Sequence, residues 1–184
     1  IFYLTLRKST TLNLKSGKNM DPKVSIIMGS TSDLPVMEKA AKVLNDFCIP
    51  FEINALSAHR TPAEVESFAK NAQKRGIIAG AGMAAHLPGV IAAMTPIPVI
   101  GVPINASLDG MDALLAIAQM PPGIPVATTA INGAMNAGIL AAQILAIGDN
   151  ALKAKIVDFK ESLKKKIVDA NNELAKVKYD YKTN

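Results

Sequence analysis

The chain has 184 residues, enough for one domain with a full hydrophobic core. Hydrophobic residues make up 49% and charged residues 19%, a composition that excludes an intrinsically disordered chain. The net charge of +5 comes from the two ends, since residues 24–150 carry six basic and nine acidic side chains and residues 151–184 carry nine lysines and five acids. The central region has no basic stripe with interleaved aromatic residues, so we expect no nucleic-acid interface.

The sequence offers little for disulfide, zinc or membrane chemistry. Cys48 is the single cysteine, which excludes an intrachain disulfide and a cysteine zinc cluster. Its apolar neighbours predict a packed, small hydrophobic side chain. No apolar run is long enough to span a bilayer, and we expect no membrane partner. One cysteine fits a reducing compartment, so we expect a cytoplasmic protein.

Residues 1–20 show no sustained periodicity, and Met20 directly precedes the first strand-like stretch. We interpret them as a leader or a vector-derived segment outside the fold. They lack the continuous apolar stretch of a secretory signal, but their basic, hydroxylated and acid-poor composition leaves a transit peptide as the alternative.

From Val24 onwards, short apolar runs alternate with helical patterns, which is typical of a parallel sheet with helices on both faces. Strands are predicted at Val24–Met28, Ile49–Leu56, a very short Ile77–Ala79, Pro98–Val102 and Val126–Ala130. Helices are predicted at Leu34–Phe47, Pro62 to about Arg75, Leu87–Met94, Asp109 to about Gln119 and Asn136–Ile147. The predicted fold is therefore a three-layer α/β/α sandwich formed by residues 21–150.

The second predicted helix begins with a capping signature. Thr61 precedes Pro62, and Glu64 lies three residues after Thr61. We therefore expect Thr61 to cap the helix N-terminus, with Glu64 as its capping-box partner.

Residues 151–177 form one last predicted helix with a narrow apolar stripe. The stripe consists of Leu152, Ile156, Phe159, Leu163, Ile167, Ala170, Leu174 and Val177. The opposite face is dense in lysine, as expected for a solvated surface. Since the sheet already has helices on both sides, we expect residues 151–184 to pack on a neighbouring subunit of a homo-oligomer. A calmodulin-like or membrane-surface role for the lysines is the alternative.

Three loops follow predicted strands and project from one edge of the sheet, where parallel sheets bind ligands. They are Gly29–Asp33, Ser57–Pro62 and Ala79–Gly89. The first lies at a strand-to-helix junction, where free backbone N–H groups favour a phosphate and serine hydroxyls add donors. Asp33 suits ribose hydroxyls, which donate to carboxylates. Helix capping by Ser32 or Asp33 is the structural alternative.

The second loop holds two side chains with chemistry of their own. An imidazole exchanges protons near neutral pH, so His59 is a candidate general acid or base. Arg60 offers a planar fork for a phosphate or a carboxylate. The structural alternatives are a hydrogen-bonded histidine and a surface salt bridge.

The third loop is rich in small residues. Ala79–Gly82 lets the backbone approach a flat ligand, although a simple turn of small residues is the alternative. His86 is a candidate to bond a substrate carboxylate or to cap the next helix. Neither histidine has the partners of a metal site, so we expect no metal. A serine hydrolase is also disfavoured, because the chain has no nucleophile elbow.

Together these segments resemble the PurE family, the class I N5-carboxyaminoimidazole ribonucleotide mutases of purine biosynthesis. The resemblance covers roughly Val24–Ile147 and is carried by Met-Gly-Ser-Thr-Ser-Asp, Ser-Ala-His-Arg-Thr-Pro and Ala-Gly-Ala-Gly-Met-Ala-Ala-His-Leu-Pro-Gly. Arg60 and the last segment resemble the mutases rather than the class II carboxylases. The chain is a few residues shorter than the family pattern before Ile77, which predicts a truncated third strand.

The resemblance implies a flavodoxin-like sheet, an octamer and conversion of N5-carboxyaminoimidazole ribonucleotide to 4-carboxyaminoimidazole ribonucleotide without ATP, metal or organic cofactor. It implies that His59 is the catalytic proton carrier, that Ser30 and Arg60 hold the phosphate, and that Asp33 holds the ribose. The substrate-binding residues that it implies are Ser30, Ser32, Asp33, Ser57, Arg60, Ala81, Gly82, His86 and Leu87.

Two other functions compete with this interpretation. A flavodoxin-like nucleotide- or flavin-binding module without catalysis would explain the phosphate loop but gives His59 no role. A bound flavin would colour such a protein yellow. A structural oligomer scaffold would explain only the last helix.

Overall fold

The computed structural model describes residues 21–72 and 76–184. The interpretation of residues 1–20 as a leader lies outside the described residues. So does the end of the second predicted helix, at residues 73–75.

The described residues form a sheet of five parallel strands with helices on both faces. The strands are β1 (Val24–Met28), β2 (Phe51–Ala55), β3 (Gly76–Gly82), β4 (Val99–Ile104) and β5 (Ala127–Thr128). The helices are α1 (Leu34–Asp46), α2 (Pro62–Asn71), α3 (Leu87–Ala92), α4 (Met111–Ala118), α5 (Ala134–Leu145) and α6 (Asn150–Lys176). The strand order is β2-β1-β3-β4-β5, so the predicted three-layer, flavodoxin-like fold is confirmed.

Two hydrophobic cores lie on opposite faces of the sheet, because successive residues of a strand point to opposite sides. Ile26 belongs to the core under α1, α5 and the start of α6. Ile27 belongs to the core under α2, α3 and α4. Both are fully buried, and burying an isoleucine stabilises the fold by about 1.5–3 kcal/mol. The inner strands are therefore apolar on both sides, which is why their sequences read as continuous apolar runs.

The prediction of a truncated third strand was wrong. β3 spans seven residues and lies at the centre of the sheet, between β1 and β4. Its second half consists of glycine and alanine, and a side chain at Gly80 would crowd its neighbours. A Cβ atom at Gly80 would lie 2.9 Å from Met37 Cε and 3.1 Å from Ile104 Cδ1. The pattern of small residues therefore reflects close packing on a strand as well as a loop.

The fifth strand and the fourth helix are shorter than predicted. Only Ala127–Thr128 of the predicted strand pairs as a strand, at the edge of the sheet. Thr129 leaves the ladder but still donates its backbone N–H to Gly101 O at 2.9 Å. Helix α4 begins at Met111, because Asp109 before it adopts a left-handed φ of 53° that no helix interior tolerates.

The prediction that Cys48 is a packed hydrophobic residue was wrong. The side chain is exposed, and the backbone has a left-handed φ of 60°. Cys48 occupies the position that ends α1, where Cys48 N–H donates to Asn45 O and Ile49 N–H donates to Leu44 O at 2.8 Å. Ile49 instead supplies the buried side chain of this turn.

Helix α6 is divided into a packed first half and an exposed second half. Leu152 and Ile156 are buried in the core that also contains α1 and α5, and Phe159 meets Phe47 edge to face at 5.6 Å between ring centroids. Beyond Phe159 the apolar stripe lies open, with Ile167 66% exposed. No helix among the described residues is long and apolar enough to cross a membrane.

Candidate active site

The strand order creates a crevice at the carboxyl ends of β1 and β3. The chain leaves β1 to form β2 on one side and returns to form β3 on the other, and ligands bind at such switch points. An open cavity of about 560 Å³ lies there, surrounded by the loops after β1, β2 and β3. The ten residues predicted to bind the substrate or carry the proton all line it: Ser30, Ser32, Asp33, Ser57, His59, Arg60, Ala81, Gly82, His86 and Leu87.

The loop after β1 is shaped by Ser30. Its side chain accepts a hydrogen bond from Ser32 N–H at 3.3 Å and caps the short 3₁₀ turn Thr31–Asp33. Asp33 stands at the N-terminus of α1 but makes no side-chain capping bond. The alternative that Asp33 merely caps this helix is therefore wrong, and its carboxylate borders the cavity.

Partial burial raises the pKa of the Asp33 carboxyl above its usual range. Hydrogen bonds from Ser30 and Ser32 and the positive charge of Arg60 lower it, but burial has the larger effect. The folded state thus holds this proton more tightly than the unfolded chain does. The stability from Asp33 is fully present below the unfolded pKa and is lost as pH rises through the folded pKa.

We therefore expect Asp33→Asn to raise the melting temperature at about pH 7, because the amide removes the cost of a partly buried carboxylate. The difference from the wild type should shrink as pH falls towards about 4, near the unfolded pKa. Thermal melts at both pH values measure this. Glu64→Gln, at an exposed position in the first turn of α2, controls for a negative charge lost near a helix N-terminus. A lower melting temperature for Asp33→Asn at neutral pH would contradict the argument.

The loop after β2 is closed by Thr61. Its hydroxyl donates to Ser57 O at 3.1 Å and accepts from Ser57 N–H at 2.9 Å. Thr61 occupies the N-cap position of α2, as predicted, but its side chain makes no capping bond, so the capping box with Glu64 was wrong. The hydroxyl instead fixes the tight turn that contains His59 and Arg60, two of the three residues between Ser57 and Thr61.

Arg60 joins the first two loops. Its Nη2 donates to Gly29 O at 2.8 Å, and its Nε donates to Ser57 Oγ at 3.3 Å. Among the cavity residues that the structure describes, it is the side chain with a permanent positive charge. The guanidinium is exposed and keeps further N–H donors for a ligand. This geometry favours an anionic group between the first two loops.

The end of β3 brings a fourth loop to the cavity, which the sequence analysis missed. A Cβ atom at Gly82 would lie 2.9 Å from Ala106 Cβ and 3.1 Å from Ile104 O. The absence of a side chain at Gly82 therefore lets the segment after β4 approach, and Ala106 lines the cavity. The sequence signal that could have identified Ala106 is its position just after β4, the strand that pairs with β3.

The two histidines of the chain meet at the cavity. His59 Nε2 lies 2.7 Å from His86 Nδ1, and the rings stand edge to face at 86° with centroids 4.9 Å apart. His86 occupies the N-cap position of α3 but makes no side-chain capping bond. The alternative that the His86 side chain caps the helix is therefore wrong, and this side chain lines the cavity.

Known proteins are similar to this chain in both sequence and architecture. The AIR carboxylase family model matches residues 23–166. The N5-carboxyaminoimidazole ribonucleotide mutase of Thermotoga maritima is 53% identical over 162 residues, covering 86% of this chain and 95% of that protein. The mutase of Pyrococcus abyssi is 58% identical over 148 residues, covering 78% of this chain and 85% of that protein.

A longer relative and a solved structure agree. Phosphoribosylaminoimidazole carboxylase of Saccharomyces cerevisiae is 47% identical over an alignment of 188 residues with gaps, which covers 97% of this chain and 33% of that protein. A crystal structure of Treponema denticola PurE superposes with a TM-score of 0.76 at 31% identity, covering 83% of this chain and 98% of that one. The chain therefore belongs to the AIR carboxylase, or PurE, family.

Proposed function

We propose that the chain is an N5-carboxyaminoimidazole ribonucleotide mutase in which His59 carries the proton. The reaction moves the carboxyl group from N5 to C4 of the aminoimidazole ribonucleotide, a step of purine biosynthesis. The observation that carries this proposal is the convergence of His59, Arg60 and Asp33 on one cavity at the switch point of the sheet. The names of the relatives at more than half identity support it.

The cavity residues divide between the parts of the substrate. Arg60 and the Ser30 hydroxyl bind the phosphate, since both offer donors close to the helix N-terminus after β1. Asp33 accepts hydrogen bonds from the ribose hydroxyls. Ser32 and Ser57 add polar contacts. The backbone of Ala81 and Gly82 and the side chain of Leu87 lie against the flat base.

His59 returns to its starting state in each turnover. The imidazolium gives its proton to N5 as the N5–carboxyl bond breaks and carbon dioxide departs. C4 then forms a bond to carbon dioxide, using electrons of the aminoimidazole ring. The proton displaced from C4 passes to His59, which restores the imidazolium. Proton and carboxyl group are both conserved, so the reaction needs no ATP and no redox partner.

Direct measurement of the isomerisation tests the activity. The purified chain, given N5-carboxyaminoimidazole ribonucleotide without ATP, should form the C4-carboxylated product. An inactive protein that binds flavin and absorbs visible light would favour the binding-module alternative instead.

We infer that the working form is a homo-oligomer. The family resemblance implies an octamer, and the single cysteine fits a cytoplasmic location. Residues 21–150 form the catalytic domain, and residues 151–184 reach a neighbouring subunit. The exposed apolar stripe on the second half of α6 supports this arrangement.

We expect Arg60→Ala to weaken binding of a phosphorylated ligand by roughly 1.5–3 kcal/mol, the size of a hydrogen bond to a charged group. Binding of the matching nucleoside should change far less, because it lacks the phosphate. Isothermal titration of both ligands measures the difference.

Arg60→Lys is the matched control. It keeps the positive charge but loses the fork that reaches both Gly29 O and Ser57 Oγ, so it should recover only part of the affinity. Thermal melts separate lost binding from lost structure, since Arg60 also ties two loops together. Equal losses for the nucleotide and the nucleoside would show that Arg60 does not recognise the phosphate.

A further inference from the structure

The contact between the two imidazoles restricts their protonation. A neutral imidazole has one N–H donor and one acceptor nitrogen, whereas an imidazolium has two donors and no acceptor. His59 Nε2 and His86 Nδ1 are 2.7 Å apart, so one of them carries a hydrogen and the other offers its lone pair. With both rings charged, two N–H groups would face each other at this distance. The pair therefore accepts one extra proton while the contact lasts, not two.

Other charged groups around the pair act in opposite directions. Among the described residues that line the cavity, these are Asp33 from the loop after β1 and Arg60 from the loop after β2. The carboxylate of Asp33 favours a positive charge on the pair, and the guanidinium of Arg60 opposes it. Neither changes the geometric limit of one shared hydrogen between the facing nitrogens.

We propose that His86 is a positioning residue that fixes which nitrogen of His59 exchanges the proton. This inference rests on the proposed role of His59 as proton carrier. His86 keeps its own hydrogen on Nε2 and accepts from His59 Nε2–H through Nδ1. The nitrogen of His59 outside this hydrogen bond is Nδ1, which takes the proton released at C4 and gives it to N5. The resulting imidazolium stays bonded to a neutral acceptor, which strengthens the hydrogen bond.

His86 thus acts on the reaction through His59 rather than by binding the substrate. The relation resembles other catalytic histidines, whose second ring nitrogen is held by a partner that sets the tautomer and the ring orientation. Here the partner is itself an imidazole. It can set the tautomer only while it remains neutral.

The composition of the chain makes the proposal directly measurable. It contains two histidines, so a nitrogen-15 NMR spectrum of the full chain labelled at histidine shows four ring nitrogens. His86→Asn assigns the signals, because His59 alone remains. We expect Nε2 of His59 to keep its hydrogen and Nδ1 of His59 to be the nitrogen that gains one when the pair is protonated. A hydrogen on Nδ1 of His86, in place of the one on Nε2 of His59, would overturn the proposal.

Kinetics of two His86 variants separate positioning from substrate contact. His86→Phe keeps an aromatic ring but removes the acceptor, so kcat should fall by about 10–100-fold with KM nearly unchanged. His86→Asn places an amide oxygen near the position of Nδ1 and should recover most of kcat. A raised KM with unchanged kcat would assign His86 to the substrate and overturn the proposal. An equal loss of kcat in both variants would also overturn it, as a packing effect.

These measurements test the role of His86 separately from the proposed mutase activity. If the chain proved to have no mutase activity, the proposed function would be wrong. The NMR spectrum would still establish which ring carries the shared hydrogen. If the chain is active but that hydrogen lies on His86 Nδ1, the role of His86 is wrong and that of His59 stands.

Discussion

His59→Asn is expected to lower turnover by about 10²–10⁴-fold, the usual contribution of a positioned proton carrier. The amide keeps some hydrogen-bonding capacity but cannot carry a proton between N5 and C4. The side chain is exposed, so the fold should not change. Steady-state kcat, the melting temperature and the affinity for the product nucleotide together test this.

His59→Gln is the matched control for the contact with His86. The longer amide reaches towards the position of Nε2, so it can preserve the hydrogen bond between the two residues while still lacking a titratable proton. Both variants should be nearly inactive and should still bind the nucleotide. Recovery of turnover in His59→Gln would mean that the contact with His86, not proton transfer, accounts for the loss. Turnover close to wild type in His59→Asn would remove His59 from the mechanism.

The sequence predicted which residues would line the cavity, because most of them lie in three continuous segments after consecutive strands. The carboxyl ends of parallel strands meet at one edge, so sequence order alone brings Ser30, Arg60 and Gly82 together. The contact between His59 and His86 could not be predicted, because it joins two loops through the angles of their side chains. Ala106 has no chemical signature and was missed for that reason.

Fold predictions failed where the side-chain pattern is silent or misleading. Gly80 and Gly82 read as a loop, yet both lie on a central strand, where a Cβ atom would crowd the neighbouring Met37, Ile104 or Ala106. Cys48 has apolar neighbours in the sequence, but its left-handed backbone turns it outwards at the end of α1. Tertiary packing decided the first case and helix termination the second. Neither leaves a periodic signal.

The second half of α6 carries an exposed apolar stripe that could hold subunits together. The helix is about 40 Å long, and only its first half packs on its own domain. Leu163 is 42% exposed and Leu174 is 59% exposed, although both continue the stripe that Leu152 begins. The helix and tail are basic, whereas residues 24–150 carry more acidic than basic side chains. A second copy therefore offers both an apolar surface and opposite charge, which favours closed association through this helix.

Replacing Leu163 and Ile167 together with serine should reduce the assembly to smaller species, because it interrupts the exposed stripe without touching the domain's own core. Light scattering of the purified protein at micromolar concentration measures the mass. The paired control, Lys165→Ser with Asp169→Ser, lies on the other side of the helix and should leave the mass unchanged.

Removal of residues 161–184 should reduce the mass of the assembly as the Leu163 and Ile167 substitutions do. Removal of residues 151–184 should also destabilise the fold, because it deletes the buried Leu152 and Ile156, each worth about 2–5 kcal/mol. A monomeric wild type at this concentration, or an unchanged mass in the apolar variant, would show that α6 does not hold the subunits together.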